Sequence, residues 1–152
     1  LDNMRRSYLI DSISETGLEK AFIEHTHWDL KKGTPYVIGC STELEQLIES
    51  EQIHKGITAT AGGFYGPQGR VLRLGIQDSA LNSKMDSFSF EGQRITNLEM
   101  ETSAIYGLGK LLGHHCLSMN AIIANRANGT FSQDPYKAVD ELILYTLNKL
   151  AQ

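Results

Sequence analysis

Residues 56–70 read GITATAGGFYGPQGR. The β-branched run at Ile57–Thr60 has the character of a strand, and it leads directly into Gly62, Gly63, Gly66, Pro67 and Gly69. Glycine opens backbone angles closed to other residues and proline fixes its own, so residues 62–70 predict a shaped loop. VLRLGI at 71–76 predicts a return to extended chain, which places the loop between two strands. The loop carries Gln68 and Arg70. An amide offers a donor and an acceptor, and a guanidinium offers several donors with a permanent charge, a pair able to read the edge of a flat heterocycle. A solvated glutamine and an arginine in a surface ion pair are the ordinary alternative. The dense glycines, which allow close backbone approach to a ligand, weigh against it.

Working outward, ISETGLEKAFIEHT predicts a helix broken at Gly17, with Leu18 and Phe22 on its apolar face together with Ile10 and Ile13. YVIGCS predicts a short strand or bend, and Thr42 with Glu45 forms a capping box opening a helix through TELEQLIES. SALNSKMDSF predicts a short helix, and FSFEGQRI a hairpin or bent strand turning at Glu91-Gly92. TNLEMETSAIYGLGKLLG predicts a helix capped by Thr96 or Asn97, with Met100, Ala104, Leu108 and Leu111 at helical spacing and Gly113 as its stop. CLSMNAIIAN predicts a strand buried on both faces. A final amphipathic helix carries Val139, Leu142, Ile143, Leu147 and Leu150. Strands alternating with helices predict an α/β layered domain with a partly parallel, mixed central sheet flanked by helices.

Two further stretches bear chemistry. Glu99-Met100-Glu101 falls at a predicted helix start, where carboxylates ordinarily serve the helix dipole, worth about 0.3 to 1 kcal/mol. Successive helical residues point about 100° apart, so one glutamate can serve structure while the other faces a ligand. A carboxylate accepting from two neighbouring hydroxyls suits a sugar diol, and methionine offers a polarizable surface to a ribose ring. The third stretch is IIANR, where Arg126 follows a strand end, the favoured ligand address in α/β sheets; a solvated arginine is the alternative.

Composition sets bounds on partners. The chain has 152 residues, 41% apolar and 21% charged, with a net charge of -4. Disorder and general nucleic-acid affinity are both disfavoured. Cys40 and Cys116 are the only cysteines, too few for a disulfide framework or structural zinc site, and they predict a reducing, cytoplasmic setting. His25 with His27, and His114 with His115, lack carboxylate or cysteine partners at ligand spacing, so no metal is expected. ETSAI around Ser103 is no nucleophile elbow, and GFYGPQGR is no P-loop. No apolar run approaches the roughly 20 residues of a membrane span.

GITATAGGFYGPQGR, ITNLEMETSAIYGLGKLLG and IIANR, in that order and separation, resemble the nucleoside phosphorylase I family, and within it the uridine phosphorylases. The resemblance covers the chain from about residue 18 onward. It implies a layered phosphorylase fold and cleavage of uridine by inorganic phosphate to uracil and ribose 1-phosphate. The glutamine and arginine of the family's FYxxQxR loop bind the pyrimidine, which carries over to Gln68 and Arg70, with Phe64 lining the pocket. The family's EMES motif stands here as EMET. Met100 is expected on the ribose and Glu101 on its 2′- and 3′-hydroxyls, with Glu99 nearby and Thr102 in the serine position. Arg126 is expected to support the uracil site. Purine-specific relatives carry serine and aspartate after this strand, so Asn125-Arg126 favours a pyrimidine.

The resemblance further implies a homo-oligomer, dimer or hexamer, with phosphate as co-substrate and no metal or organic cofactor. It also implies that residues 1–152 form a single domain that is the C-terminal portion of a phosphorylase domain. The base and ribose pocket is then present without the glycine-rich phosphate loop of the family's N-terminal half. A start at Leu1 in place of methionine agrees with a processed product or a fragment. A nucleosidase using water, a purine phosphorylase and a non-catalytic nucleoside-binding module remain as alternatives.

Overall fold

The computed structural model describes residues 4–125 and 128–152. A mixed sheet of three strands lies at its centre, in the order β1 (Ile57–Thr60), β3 (Gln93–Glu99), β2 (Ser89–Phe90). β1 runs parallel to β3, with Thr60 opposite Glu99, whereas β2 and β3 form an antiparallel hairpin. The hairpin turns at Glu91 and Gly92, whose φ angles of 50° and 81° are the left-handed pair that a tight two-residue turn requires. β4 (Ala124–Asn125) and β5 (Thr130–Phe131) make a separate antiparallel pair.

Among the described residues six α-helices surround these strands: α1 (Met4–Ser7), α2 (Thr16–Thr26), α3 (Thr42–Ile48), α4 (Leu81–Ser87), α5 (Thr102–Leu111) and α6 (Pro135–Leu150). The best-formed core joins α2, α4 and the hairpin. Phe88 is 1% exposed and packs edge-on against Phe22 and His25, with Trp28 beyond Phe22. The buried Glu19 carboxylate fastens α2 to its surroundings by accepting from Arg5 and from the Val37 amide, both at 3.1 Å. On the other side, α3 meets α6 through Tyr145, whose hydroxyl donates to the Ile48 carbonyl at 2.6 Å.

Several sequence expectations are corrected. α2 is unbroken, because Gly17 lies in its first turn, where few intrahelical bonds depend on it. The cap of α3 is Ser41, which accepts from the Leu44 amide, and not Thr42. Residues 34–40 form neither strand nor helix, and residues 71–76 bend without a strand partner, leaving Val71, Leu72 and Leu74 exposed. The helix expected from Thr96 or Asn97 begins at Thr102, since pairing with β1 draws residues 93–99 into β3. Of CLSMNAIIAN only Ala124–Asn125 is strand, and Ile122 and Ile123 are exposed, because no element among the described residues covers both faces. α6 forms as expected, yet Val139, Ile143, Leu147 and Leu150 of its apolar stripe remain open to solvent.

The total accessible surface is large for the chain's mass. A compact monomer of 16.9 kDa exposes roughly 7700 Å², whereas this chain exposes 10402 Å². The difference, about 2700 Å², falls in the range of obligate interfaces. A cleft of about 1860 Å³ opens between β1, α3 and the extended run at 117–122, and Leu72, Leu74 and Ile122 are exposed along it. No helix among the described residues is long and apolar enough to cross a membrane.

Candidate active site

The site grows from the parallel pairing of β1 and β3. Adjacent parallel strands release their following segments at the same sheet edge, where ligands of α/β proteins gather. β1 leads into the glycine-rich loop and β3 into Met100-Glu101. The two segments are tied at their roots, since the Ala61 amide donates to the Glu99 carbonyl at 2.9 Å.

The loop is tightly shaped. Gly66–Gln68 forms a 3-10 turn with Pro67 inside it, and Gly69 closes the turn at φ 72°. The Tyr65 carbonyl accepts from the amides of both Gln68 and Arg70, at 3.1 and 3.0 Å. Gln68 is consequently buried, at 2% exposure, whereas Phe64 is 47% exposed. The Arg70 guanidinium lies 3.5 Å from the Phe64 ring centroid, a cation–π arrangement. Its Nε is buried without a hydrogen-bond partner among the described residues. A buried charged donor left unsatisfied is costly, and a ligand acceptor would relieve it.

The Glu99–Thr102 segment divides its two carboxylates. Glu99 accepts from the Thr60 hydroxyl through Oε1 and from the amides of Glu101 and Thr102, both at 2.7 Å, through Oε2. Burial raises the Glu99 pKa, but these hydrogen bonds outweigh it and hold the carboxyl below its ordinary value. Glu101 is exposed and, among the described residues, accepts from the Met100 amide alone, at 3.2 Å; Met100 is itself 40% exposed. Glu101 caps α5 without a side-chain bond to the helix. The divergence of Glu99 and Glu101 therefore comes from a strand end followed by a bend, not from successive positions on a helix.

Phe64, Gln68 and Arg70 thus share one loop, and Glu99, Met100 and Glu101 share the neighbouring strand exit. Arg70 and Thr60 line the large cleft, whereas Glu99, Met100 and Glu101 do not. Arg126 lies outside the described residues, although Asn125 before it ends β4. Sequence reasoning passed over Thr60, whose only signal was a hydroxyl at the end of a β-branched strand. It also passed over Tyr106, whose hydroxyl receives the Ser118 amide at 2.7 Å and holds the 117–122 run against α5. Cys40 is no candidate nucleophile, because burial pushes its thiol pKa up.

No curated protein matches the chain. A solved nucleoside phosphorylase from Trypanosoma brucei, described as showing uridine phosphorylase activity, superposes with a TM-score of 0.79 at 24% sequence identity. The alignment covers 99% of this chain and 54% of that one, so the chain spans about half the length of that structure. A family model described as the phosphorylase superfamily matches residues 9–150, and the chain belongs to that superfamily.

Proposed function

We propose that this chain carries the base and ribose pocket of a uridine phosphorylase, which converts uridine and inorganic phosphate to uracil and ribose 1-phosphate. The observation that carries the reading is the common exit of the Gln68–Arg70 loop and the Met100-Glu101 turn from the parallel strands β1 and β3. The unpartnered Arg70 Nε and the described activity of the trypanosomal structure support the same assignment.

In this mechanism a phosphate oxygen bonds to C1′ as the C1′–N1 bond breaks. The bonding pair passes into the pyrimidine, the ribose acquires oxocarbenium character, and the released base takes a proton from water. Arg70 and Gln68 donate toward the uracil carbonyl oxygens, where charge grows only as the bond breaks, so they favour the transition state over bound uridine. Glu101 accepts from the 2′- and 3′-hydroxyls, Met100 packs on the sugar, and Phe64 lines the pocket. Arg126, outside the described residues, is assigned to the support of the uracil site by its place in the sequence motif. The same reading includes a cytoplasmic homo-oligomer, dimer or hexamer, working in pyrimidine salvage without a metal or organic cofactor.

The test is uracil release from uridine by the full-length protein, with and without phosphate. Phosphate-dependent release supports the proposal. Release that ignores phosphate makes the protein a nucleosidase, and a preference for inosine overturns the pyrimidine assignment.

A further inference from the structure

Thr60 lies outside both the 62–70 loop and the Met100-Glu101 turn of the proposed pocket, yet it touches the root of the turn. As the last residue of β1 it stands in register with Glu99, the last residue of β3. Its hydroxyl donates to Glu99 Oε1 and accepts from the Ser103 amide at 3.0 Å. One side chain thereby joins the ends of two strands to the first turn of α5. Glu99 in turn grips the amides of Glu101 and Thr102. Three of the roughly four acceptor positions of a carboxylate are filled from within the chain.

A carboxylate held at one oxygen by a side chain from the adjacent strand has a fixed plane. That plane sets where its second oxygen meets the two amides, and therefore how the backbone at Met100-Glu101 turns. We propose that Thr60 is a positioning residue, acting through Glu99 to set the Met100-Glu101 turn that reads the ribose. The inference rests on the function proposed above. In it Glu99 fastens the turn and Glu101 meets the sugar.

The geometry dictates the signature of a Thr60→Val change, which keeps the shape of the side chain and removes its hydroxyl. Glu99 Oε1 loses its donor, and the carboxylate turns toward other partners. The base-reading loop, anchored through the Tyr65 carbonyl, is left in place. Damage should therefore appear on the sugar side and spare the base side.

The experiment compares wild type, Thr60→Val and Thr60→Ser in the full-length protein, with uridine and 2′-deoxyuridine as substrates and uracil as product inhibitor. The expected result for Thr60→Val is a fall of about 10- to 100-fold in kcat/KM for uridine. A clearly smaller fall is expected for 2′-deoxyuridine, with uracil inhibition unchanged and activity restored by Thr60→Ser. Amide NMR shifts of Glu101 and Thr102 provide a readout independent of turnover, and they should move in Thr60→Val and return in Thr60→Ser. Unmoved amides, or equal losses for both nucleosides without rescue by serine, overturn the positioning role. Amides that move as expected in a protein whose wild type does not cleave uridine leave the Thr60–Glu99 link intact, and the proposed function is then the part that fails.

Discussion

Replacing Arg70 by methionine should separate catalysis from stability. In the folded protein the guanidinium rests 3.5 Å from the centroid of the Phe64 ring, a contact worth about 0.5–1 kcal/mol near a surface. Its Nε is buried without a partner among the described residues, which costs about 1–3 kcal/mol. Methionine keeps an unbranched apolar stem against the ring and removes the unsatisfied donor. The opposing terms place Arg70→Met between neutrality and about 2.5 kcal/mol of added stability. The transition state loses a charged donor to the departing uracil, and kcat should fall about 100- to 1000-fold, equivalent to about 2.7–4 kcal/mol. Urea unfolding and phosphate-dependent uracil release, measured on one preparation, read the two quantities together. A loss of activity under about tenfold would remove Arg70 from the transition state. A loss of stability parallel to the loss of rate would make Arg70 a structural residue and refute the reasoning.

Three other outcomes follow from the packing and electrostatics. Phe88→Ala should cost about 3–5 kcal/mol, because Phe88 is enclosed by Phe22 and His25; a denaturation midpoint close to wild type would contradict the core described. Gly69→Ala should destabilise by about 1–3 kcal/mol, since Gly69 sits at φ 72° and an added Cβ would strike Asn82; thermal unfolding reads the loss, and uracil release should weaken as Gln68 and Arg70 shift. Glu99 has a folded pKa below its unfolded value of 4.5, so its contribution is fully present above that value and is lost as pH falls through the lower folded one. From about pH 5 downward, wild type should therefore lose stability more steeply than Glu99→Gln. Parallel pH profiles would show that the hydrogen bonds to Glu99 do not stabilise the fold.

Local chemistry made some of this fold readable in the sequence. The Glu91-Gly92 turn, α4 and α6 each follow from turn residues or apolar periodicity confined to a few positions. Residues 93–99 behave differently. ITNLEMETSA satisfies a helical pattern as well as an extended one, and only the pairing of Ile95, Asn97, Leu98 and Glu99 with β1 selects the strand. The apolar run at 116–125 misled in the opposite sense, because a strand pattern becomes a sheet only where another strand lies beside it. At the site, the shaped loop was legible because glycine and proline announce their backbone requirements. The role of Thr60 was not, since its partner Glu99 stands 39 residues away and is reached only through strand register.

Among the described residues, β1 meets a strand on one side only. In such an edge strand the amides point alternately toward the neighbour and away from it. Successive residues of Ile57–Thr60 should therefore exchange hydrogen with solvent at alternating slow and fast rates, the slow ones facing β3. That alternation is a built-in gauge of coverage. Any segment that comes to lie along the free side of β1 would slow the fast members and flatten the pattern, reporting the completion of the sheet residue by residue without a label or a substrate.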